Sequence, residues 1–165
     1  MLCSCFDRYI DICMLMCDIF ADMGELELAE NLYPSVIQLC KTVRFDTSKI
    51  VQLHISLGEL LLNQDKSEDT HDVYESANAL CEKEDYTGVK YIDLLIKIGD
   101  LFYKKDDNEK TIQYFEKALG LLNNNYLKYK YAELFFKLSV CYAKIGSDKE
   151  IEYIRMYSNF RNPFN

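Results

Sequence analysis

The sequence predicts an all-α protein, an array of four antiparallel helix hairpins, and three observations carry that prediction. A pattern of apolar, small, any, any, bulky apolar recurs four times. It reads Met16-Cys17-x-x-Phe20, Leu57-Gly58-x-x-Leu61, Ile98-Gly99-x-x-Phe102 and Leu138-Ser139-x-x-Tyr142, its first residues 41, 41 and 40 positions apart. A period in this range marks stacked repeats, in which each unit buries its apolar face only against its neighbours. Apolar residues also recur at i, i+3, i+4, i+7 along almost the whole chain, the spacing of an amphipathic helix. Finally, only 6 Gly and 2 Pro, with few Ser/Thr/Val clusters, argue against a many-stranded β fold.

The first unit covers 5–42. Its first helix, 5–22, holds the apolar run Ile12 to Phe20, but Asp7, Asp11 and Asp18 interrupt it. Arg8 is the only early cation and no small-residue cleavage site follows, so the segment reads as an amphipathic helix rather than a leader. Met23-Gly24-Glu25 breaks it from a second helix, 25–42, where Pro34 is expected to kink or break the helix near Glu30. The second unit, 47–84, has helices at 47–63 and 67–84 around Asn63-Gln64-Asp65. In the third, 87–122, Leu94, Leu95, Ile98, Leu101 and Phe102 form the stripe of helix 87–104. Ile112, Phe115, Ala118 and Leu119 form that of 108–122. The fourth unit, 126–159, places helices at 126–145 and 148–159 around Ile145-Gly146-Ser147-Asp148, with a tail at 160–165. Asp and Ser in these breakers read as N-caps for the second helices.

Connections between units (Arg44-Phe45-Asp46-Thr47, Lys83-Glu84-Asp85-Tyr86 and Asn123-Asn124-Asn125) are short, as antiparallel stacking requires. The whole of 1–165 reads as a single repeat domain. It ends without a polar capping helix, which is expected of a terminal part of a longer repeat protein.

A Gly inside a helix costs ~1 kcal/mol against Ala. Its recurrence at the phase of Cys17, Gly58, Gly99 and Ser139 therefore points to close approach of a paired helix. Each second helix answers with a small residue, an aromatic four later and an apolar residue three beyond: Ala29, Tyr33, Val36; Thr70, Tyr74, Ala77; Thr111, Phe115, Ala118. On these residues the chain resembles the tetratricopeptide-repeat (TPR) family, in a version with repeats of 40–41 residues. The fourth unit departs from the pattern, since Ile151, Arg155 and Ser158 stand where Ala, Phe and Ala are expected.

The resemblance implies a right-handed superhelical TPR-like solenoid whose first helices line a concave groove for a peptide or a partner's helix. Its groove positions fall here on four rows: Asp11, Gln52, Asp93 and Glu133; Met14, Ile55, Ile96 and Phe136; Asp18, Glu59, Asp100 and Val140; Asp22, Asn63, Lys104 and Lys144. The first and third rows are mostly acidic and flank an apolar row, a surface suited to a protein or peptide segment with basic residues beside an apolar anchor. TPR domains that clamp chaperone tails use Lys, Arg and Asn at such positions, so a chaperone tail is not the expected ligand. The same resemblance leaves two alternatives: a structural subunit of a multiprotein complex, as in the TPR subunits of the anaphase-promoting complex, and a peptide-sensing domain of a bacterial signalling regulator.

Charge supports this reading. Net charge is −8, made of −11 in residues 1–85 (6 basic, 17 acidic) and +3 in residues 86–165 (13 basic, 10 acidic). Such a balance repels a nucleic-acid backbone, and no apolar run reaches the roughly 20 residues of a membrane span. Seven cysteines, an odd count set within helical stretches, and no glycosylation sequon point to an intracellular, reducing compartment, cytoplasmic or nuclear.

No nucleotide-binding, hydrolase or metalloprotease motif occurs, and the expectation is a non-enzyme without cofactor. Cys3, Cys5, Cys13 and Cys17 form the one constellation with metal-ligand chemistry. Cys13 and Cys17, however, point into the core and the usual Cys-x2-Cys knuckles are missing. Of the two histidines, His54 takes a core-facing position and His71 lies on another helix. Tyr126, Tyr129 and Tyr131 with Lys128 and Lys130 form an aromatic-basic cluster, in which Tyr131 and Phe135 are expected to pack against the third unit.

Overall fold

The computed structural model describes residues 2–122 and 128–161, with the side chains of 6–122 and 130–160. Among the described residues there are eight α-helices and no strand: α1 (Leu2–Asp22), α2 (Leu26–Thr42), α3 (Thr47–Leu62), α4 (Ser67–Lys83), α5 (Val89–Lys104), α6 (Asn108–Leu121), α7 (Lys128–Lys144) and α8 (Lys149–Arg161). They fall into two compact units, Met1–Leu94 and Leu95–Asn165, divided within α5. In the first unit α1 packs on α2, α2 on α3 and α3 on α4; in the second, α6 packs on α7 and α7 on α8. None of the described helices is long and apolar enough to cross a membrane.

The turn inside each hairpin is built the same way. Gly24, Asp65, Asp106 and Gly146 adopt positive φ of 77°, 59°, 60° and 69°, at spacings that repeat the 41, 41, 40 period. The next residue's N–H then reaches back to the carbonyl of Phe20, Leu61, Phe102 or Tyr142, at 2.9 to 3.0 Å. This closes the helix end as a Schellman motif does. The acceptors are the bulky residues of the repeat pattern, so one residue fills the core and stops the helix. Arg44 and Asp85 make the corresponding turn between hairpins, where Phe45 and Tyr86 donate to the Cys40 and Cys81 carbonyls at 2.9 Å. The Asp carboxylates do capping work only in part. Asp107 accepts from the Lys110 N–H at 3.1 Å, and Ser147 Oγ from Lys149 at a long 3.4 Å. Glu25 and Lys66, ahead of α2 and α4, supply no side-chain cap.

The recurrent small residues are contact points. A Cβ added at Gly58 would lie closer than 3.0 Å to the Tyr74 ring, and one at Gly99 equally close to Phe115. Both rings are completely buried. In the first hairpin Cys17 and Tyr33 take these places within one core cluster. Thr70 and Thr111, also fully buried, satisfy their hydroxyls on the Lys66 and Asp107 carbonyls four residues back, at 2.9 and 2.7 Å.

Two expectations need correcting. Pro34 neither breaks nor ends α2, which runs through it; it sits on the exposed side, where water can serve the Glu30 carbonyl, while Tyr33, Val36, Ile37 and Cys40 hold the other face. In the fourth hairpin the inward residues of α8 are Tyr153, Tyr157 and Phe160. They form an aromatic cluster with Phe135, Phe136 and Tyr142 at centroid distances of 5.4 to 6.1 Å. Tyr131 and Phe135 also join that cluster through Phe160. The Tyr131 hydroxyl donates to the Leu122 carbonyl of the third unit. Tyr126 and the side chain of Tyr129 lie outside the described residues.

His54 is 4% exposed, with Nδ1 2.8 Å from the Ile50 carbonyl. Burial lowers its pKa to about 4, against the smaller opposing pull of that carbonyl, with the Lys41 charge adding to the lowering. Cys13, Cys17, Cys40, Cys81 and Cys141 are buried free thiols, and burial pushes Cys17 up to about 12, so the thiol is protonated at neutral pH. No group of three or more metal-ligating side chains converges among the described residues; Cys3 and Cys5 side chains lie outside them.

Two predictions follow from the packing and from His54. Gly58→Ala and Gly99→Ala should each destabilise by about 1–3 kcal/mol through overpacking. Gly120→Ala, where a Cβ meets nothing within 4 Å, should stabilise by up to ~1 kcal/mol; urea unfolding separates the two classes. Because the folded pKa of His54 lies below its unfolded value of 6.5, its contribution is complete above that pH and shrinks as the unfolded chain takes up a proton. Stability should fall by about 2 kcal/mol between pH 7.5 and 5, a slope that His54→Gln should remove.

Candidate functional site

The first helix of each hairpin, α1, α3, α5 and α7, carries the residues picked out as a partner surface. In the N-terminal unit Asp11, Asp18, Asp22, Glu59 and Asn63 are exposed, with Gln52 and Asp93 half-buried. Met14 is half-buried against the core cluster. Ile55 departs from the expectation: at 5% exposed it is a core residue, on an α3 that packs against both α2 and α4. In the C-terminal unit Ile96 and Asp100 are half-buried, and Lys104, Glu133 and Lys144 are exposed. Phe136 is 50% exposed beside Tyr157, 5.6 Å between ring centroids.

Several of these carboxylates already hold a partner within the chain. Asp11 is bridged by Lys49 of α3. Asp18 accepts the Tyr33 hydroxyl at 2.7 Å, tying α1 to α2. Asp100 and Glu133 both reach Lys137 at 2.6 Å, and Lys144 bridges to Asp106 in the α5–α6 turn. Burial works against the Lys137 charge, yet the bonds to Asp100 and Glu133 outweigh it and hold its pKa above the usual lysine value. The acidic rows therefore do two things: they present negative charge, and they pin one hairpin to the next.

The basic half of that ladder was missed in the sequence, although a signal for it exists. Arg8, Lys49, Lys90 and Lys130 stand 41, 41 and 40 residues apart, one turn before the first acidic row, and Lys97 and Lys137 stand 40 apart. The phase of the repeat thus carries the counter-charges as well as the core. A second ion-and-hydroxyl cluster holds α8 in place. Glu116 accepts from Tyr142 at 2.6 Å, Tyr153 at 3.1 Å and Lys149 at 3.3 Å. Burial tends to raise the Glu116 carboxyl, but these bonds prevail and hold it below the usual carboxylate value.

The N-terminal unit also contains a cavity of about 540 Å³ where α2 ends and α3 begins, floored by Phe45, Ile50 and Leu80 and edged by Lys41, Arg44 and Lys83. Lys41 and Lys83 lie in the last turns of α2 and α4, where a cation meets the negative end of a helix. Burial lowers the Lys41 pKa.

A family model described as SNAP, soluble NSF attachment protein, matches residues 17–163. No curated protein matches the chain. Among solved structures, BtubC (BKLC) from P. vanneervenii superposes with a TM-score of 0.77 at 17% identity, over 96% of this chain and 65% of that one. Aspartyl phosphate phosphatase F from Bacillus subtilis gives 0.71 at 17% identity, over 93% and 40%. A Podosopora anserina putative kinesin light chain with nearly identical TPR-like repeats gives 0.67 at 9% identity, over 92% and 73%. At these identities the likeness shows the fold, a TPR-like array of helix hairpins. The chain spans under two thirds of the length of the first two structures.

The ladder should be unequal in strength. Lys137→Met leaves two carboxylates facing each other around a site where the lysine is 18% exposed and should cost about 1–2 kcal/mol. Lys49→Ala breaks a more exposed pair and should cost at most about 0.5 kcal/mol. Denaturant melts of both variants at low salt check the ranking.

Proposed function

The chain belongs to the soluble NSF attachment protein family over residues 17–163, and on that premise we propose that it is a non-catalytic protein-interaction scaffold. TPR-like repeats are typical of such scaffolds because stacked hairpins offer extended helix faces with few loops to disorder. The partner segment we infer is basic with an apolar anchor, and it lies against the helix faces of α1 and α3 in the N-terminal unit. The observation that carries this is the shared phase of exposed Asp11, Asp18, Asp22 and Glu59, in a stretch whose net charge is −11. Met14 supplies apolar surface between them. The Tyr33 hydroxyl that Asp18 accepts is neutral, so Asp18 keeps its negative charge at the surface, whereas Lys49 offsets that of Asp11. The family's description makes NSF the first partner to test.

Purified NSF and a basic amphipathic peptide should be offered to the immobilised full chain and to an Asp22→Lys/Glu59→Lys variant, both verified as folded by circular dichroism. Binding to the parent should weaken tenfold or more in the variant (about 1.4 kcal/mol) and fall with added salt. Equal binding to both would remove the acidic face from consideration. A short peptide that alone raises the melting temperature at saturation would point to peptide sensing instead.

A further inference from the structure

The junction between the first two hairpins holds positive charge that the repeat does not account for. Residues 1–85 carry 6 basic and 17 acidic side chains. Three of those six cations, Lys41, Arg44 and Lys83, edge the cavity of about 540 Å³ where α2 ends and α3 begins. One repeat later, Glu82 and Asp85 stand at the places of Lys41 and Arg44. Tyr91 stands at that of Ile50, buried, with its hydroxyl donating to Asn78 at 3.0 Å. The smaller Ile50 leaves open the space that a tyrosine takes, and the cations at its edge are peculiar to this junction.

The fold does not use these cations as it uses Lys49 and Lys137. Lys83 faces Glu84 at a long 3.9 Å, with both side chains exposed. Neither Lys41 nor Arg44 has an ion pair or a side-chain hydrogen bond among the described residues. Burial lowers the Lys41 pKa, and its charge reaches His54, whose own pKa it helps to lower. The helix ends around the cavity are not bare. The Leu39, Cys40 and Lys41 carbonyls accept turn N–H groups at 2.9 to 3.3 Å, and those of Leu80, Cys81 and Glu82 at 2.9 to 3.4 Å. Thr47, the first residue of α3, brings the positive end of that helix to the same cavity. Arg44 holds a φ of 53°, a left-handed backbone that suits Asn or Asp better than arginine, and such strain gathers at functional sites.

We propose that this cavity binds a phosphate monoester carried on an apolar body, the phosphate between Lys41, Arg44 and Lys83 and the body against Phe45, Ile50 and Leu80. Three cations against Glu84, the one carboxylate among the lining residues, leave a charge of 3 − 1 = +2. A phosphate monoester, at about −1.5 to −2 near pH 7, balances that charge, whereas a carboxylate leaves one cation unanswered. Ile50 belongs to the core cluster and Phe45 and Leu80 pack on it, so the floor is in place before a ligand arrives. The volume is that of a small-molecule site, with room for far more than inorganic phosphate. The same chemistry is offered by a free alkyl or aryl phosphate and by phosphatidic acid in a bilayer. None of the acidic residues assigned to a basic partner lines the cavity, so this site stands or falls independently of that surface.

Isothermal titration of the full chain with octyl phosphate should show one saturable site with a Kd of about 1–100 μM, weakening with added salt. Inorganic phosphate should bind at least about thirtyfold more weakly, for want of the apolar contact, and octyltrimethylammonium should not bind. Lys41→Gln and Arg44→Asn change exposed side chains, and circular dichroism should find both folded. Each should weaken octyl phosphate about tenfold. Lys104→Gln, the same charge change on α5, should leave its affinity within about twofold. Flotation with phosphatidylcholine vesicles, with and without phosphatidic acid, separates the two sources of the ester. Vesicle binding that needs both phosphatidic acid and Lys41 places it in a bilayer, and octyl phosphate binding without vesicle binding assigns a free molecule. The proposal is overturned if octyl phosphate does not saturate at millimolar concentration, or if inorganic phosphate or octyltrimethylammonium binds as tightly. It is equally overturned if Lys104→Gln weakens binding as much as Lys41→Gln.

Discussion

The close approach of an aromatic ring to a residue without a bulky side chain is the contact on which the rest of this fold depends. Tyr74 over Gly58 and Phe115 over Gly99 set how near the two helices of a hairpin lie, and Tyr33 with Cys17 does so in the first. A helix interior tolerates a glycine at a cost of ~1 kcal/mol. A fully buried tyrosine or phenylalanine returns more than that through burial and dispersion. Once the rings are seated, the bulky residue three positions on can fill the core beside them, and its carbonyl takes the bond that ends the helix. Packing and helix length are thereby coupled in every hairpin.

The fourth hairpin shows what happens when the pair is incomplete. Ser139 keeps the small position, but α8 offers Arg155 near the place of the aromatic. The helix instead turns Tyr153, Tyr157 and Phe160 inward and packs ring on ring. Glu116 then collects two hydroxyls and a lysine, which orients α8 by hydrogen bonds where the other hairpins rely on steric fit. The hairpin keeps its place with a different set of interactions.

Charge is arranged by the same period as the core. Acidic positions on one hairpin meet basic positions on the following one, as at Asp11 with Lys49 and Asp100 with Lys137. Exposed pairs of this kind contribute little energy singly, but they fix the order in which hairpins stack. A surface whose carboxylates are half engaged still attracts cations, while its geometry is held by the scaffold rather than by the ligand.

Most of the fold was legible in the sequence because the repeat is written in residue types with strong steric preferences. Gly at 58 and 99, aromatics at 33, 74 and 115 and turn residues at 24, 65, 106 and 146 place every hairpin within a few residues of its observed bounds. The positions that carry the candidate surface were legible as a phase, not as a surface. Periodicity cannot tell Met14, half-exposed, from Ile55, buried, since exposure depends on what lies on each side in space. It could not show that Pro34 would sit on the solvent side of an unbroken α2, or that α8 would rotate to bring Tyr153, Tyr157 and Phe160 inward. Nor did the acidic rows disclose that Lys49 and Lys137 answer them. Local preference determines which segments are helices and where they stop. Which side chains meet was decided by tertiary packing, because contact distance, burial and pairing are properties of neighbours 15 to 40 residues apart in the chain.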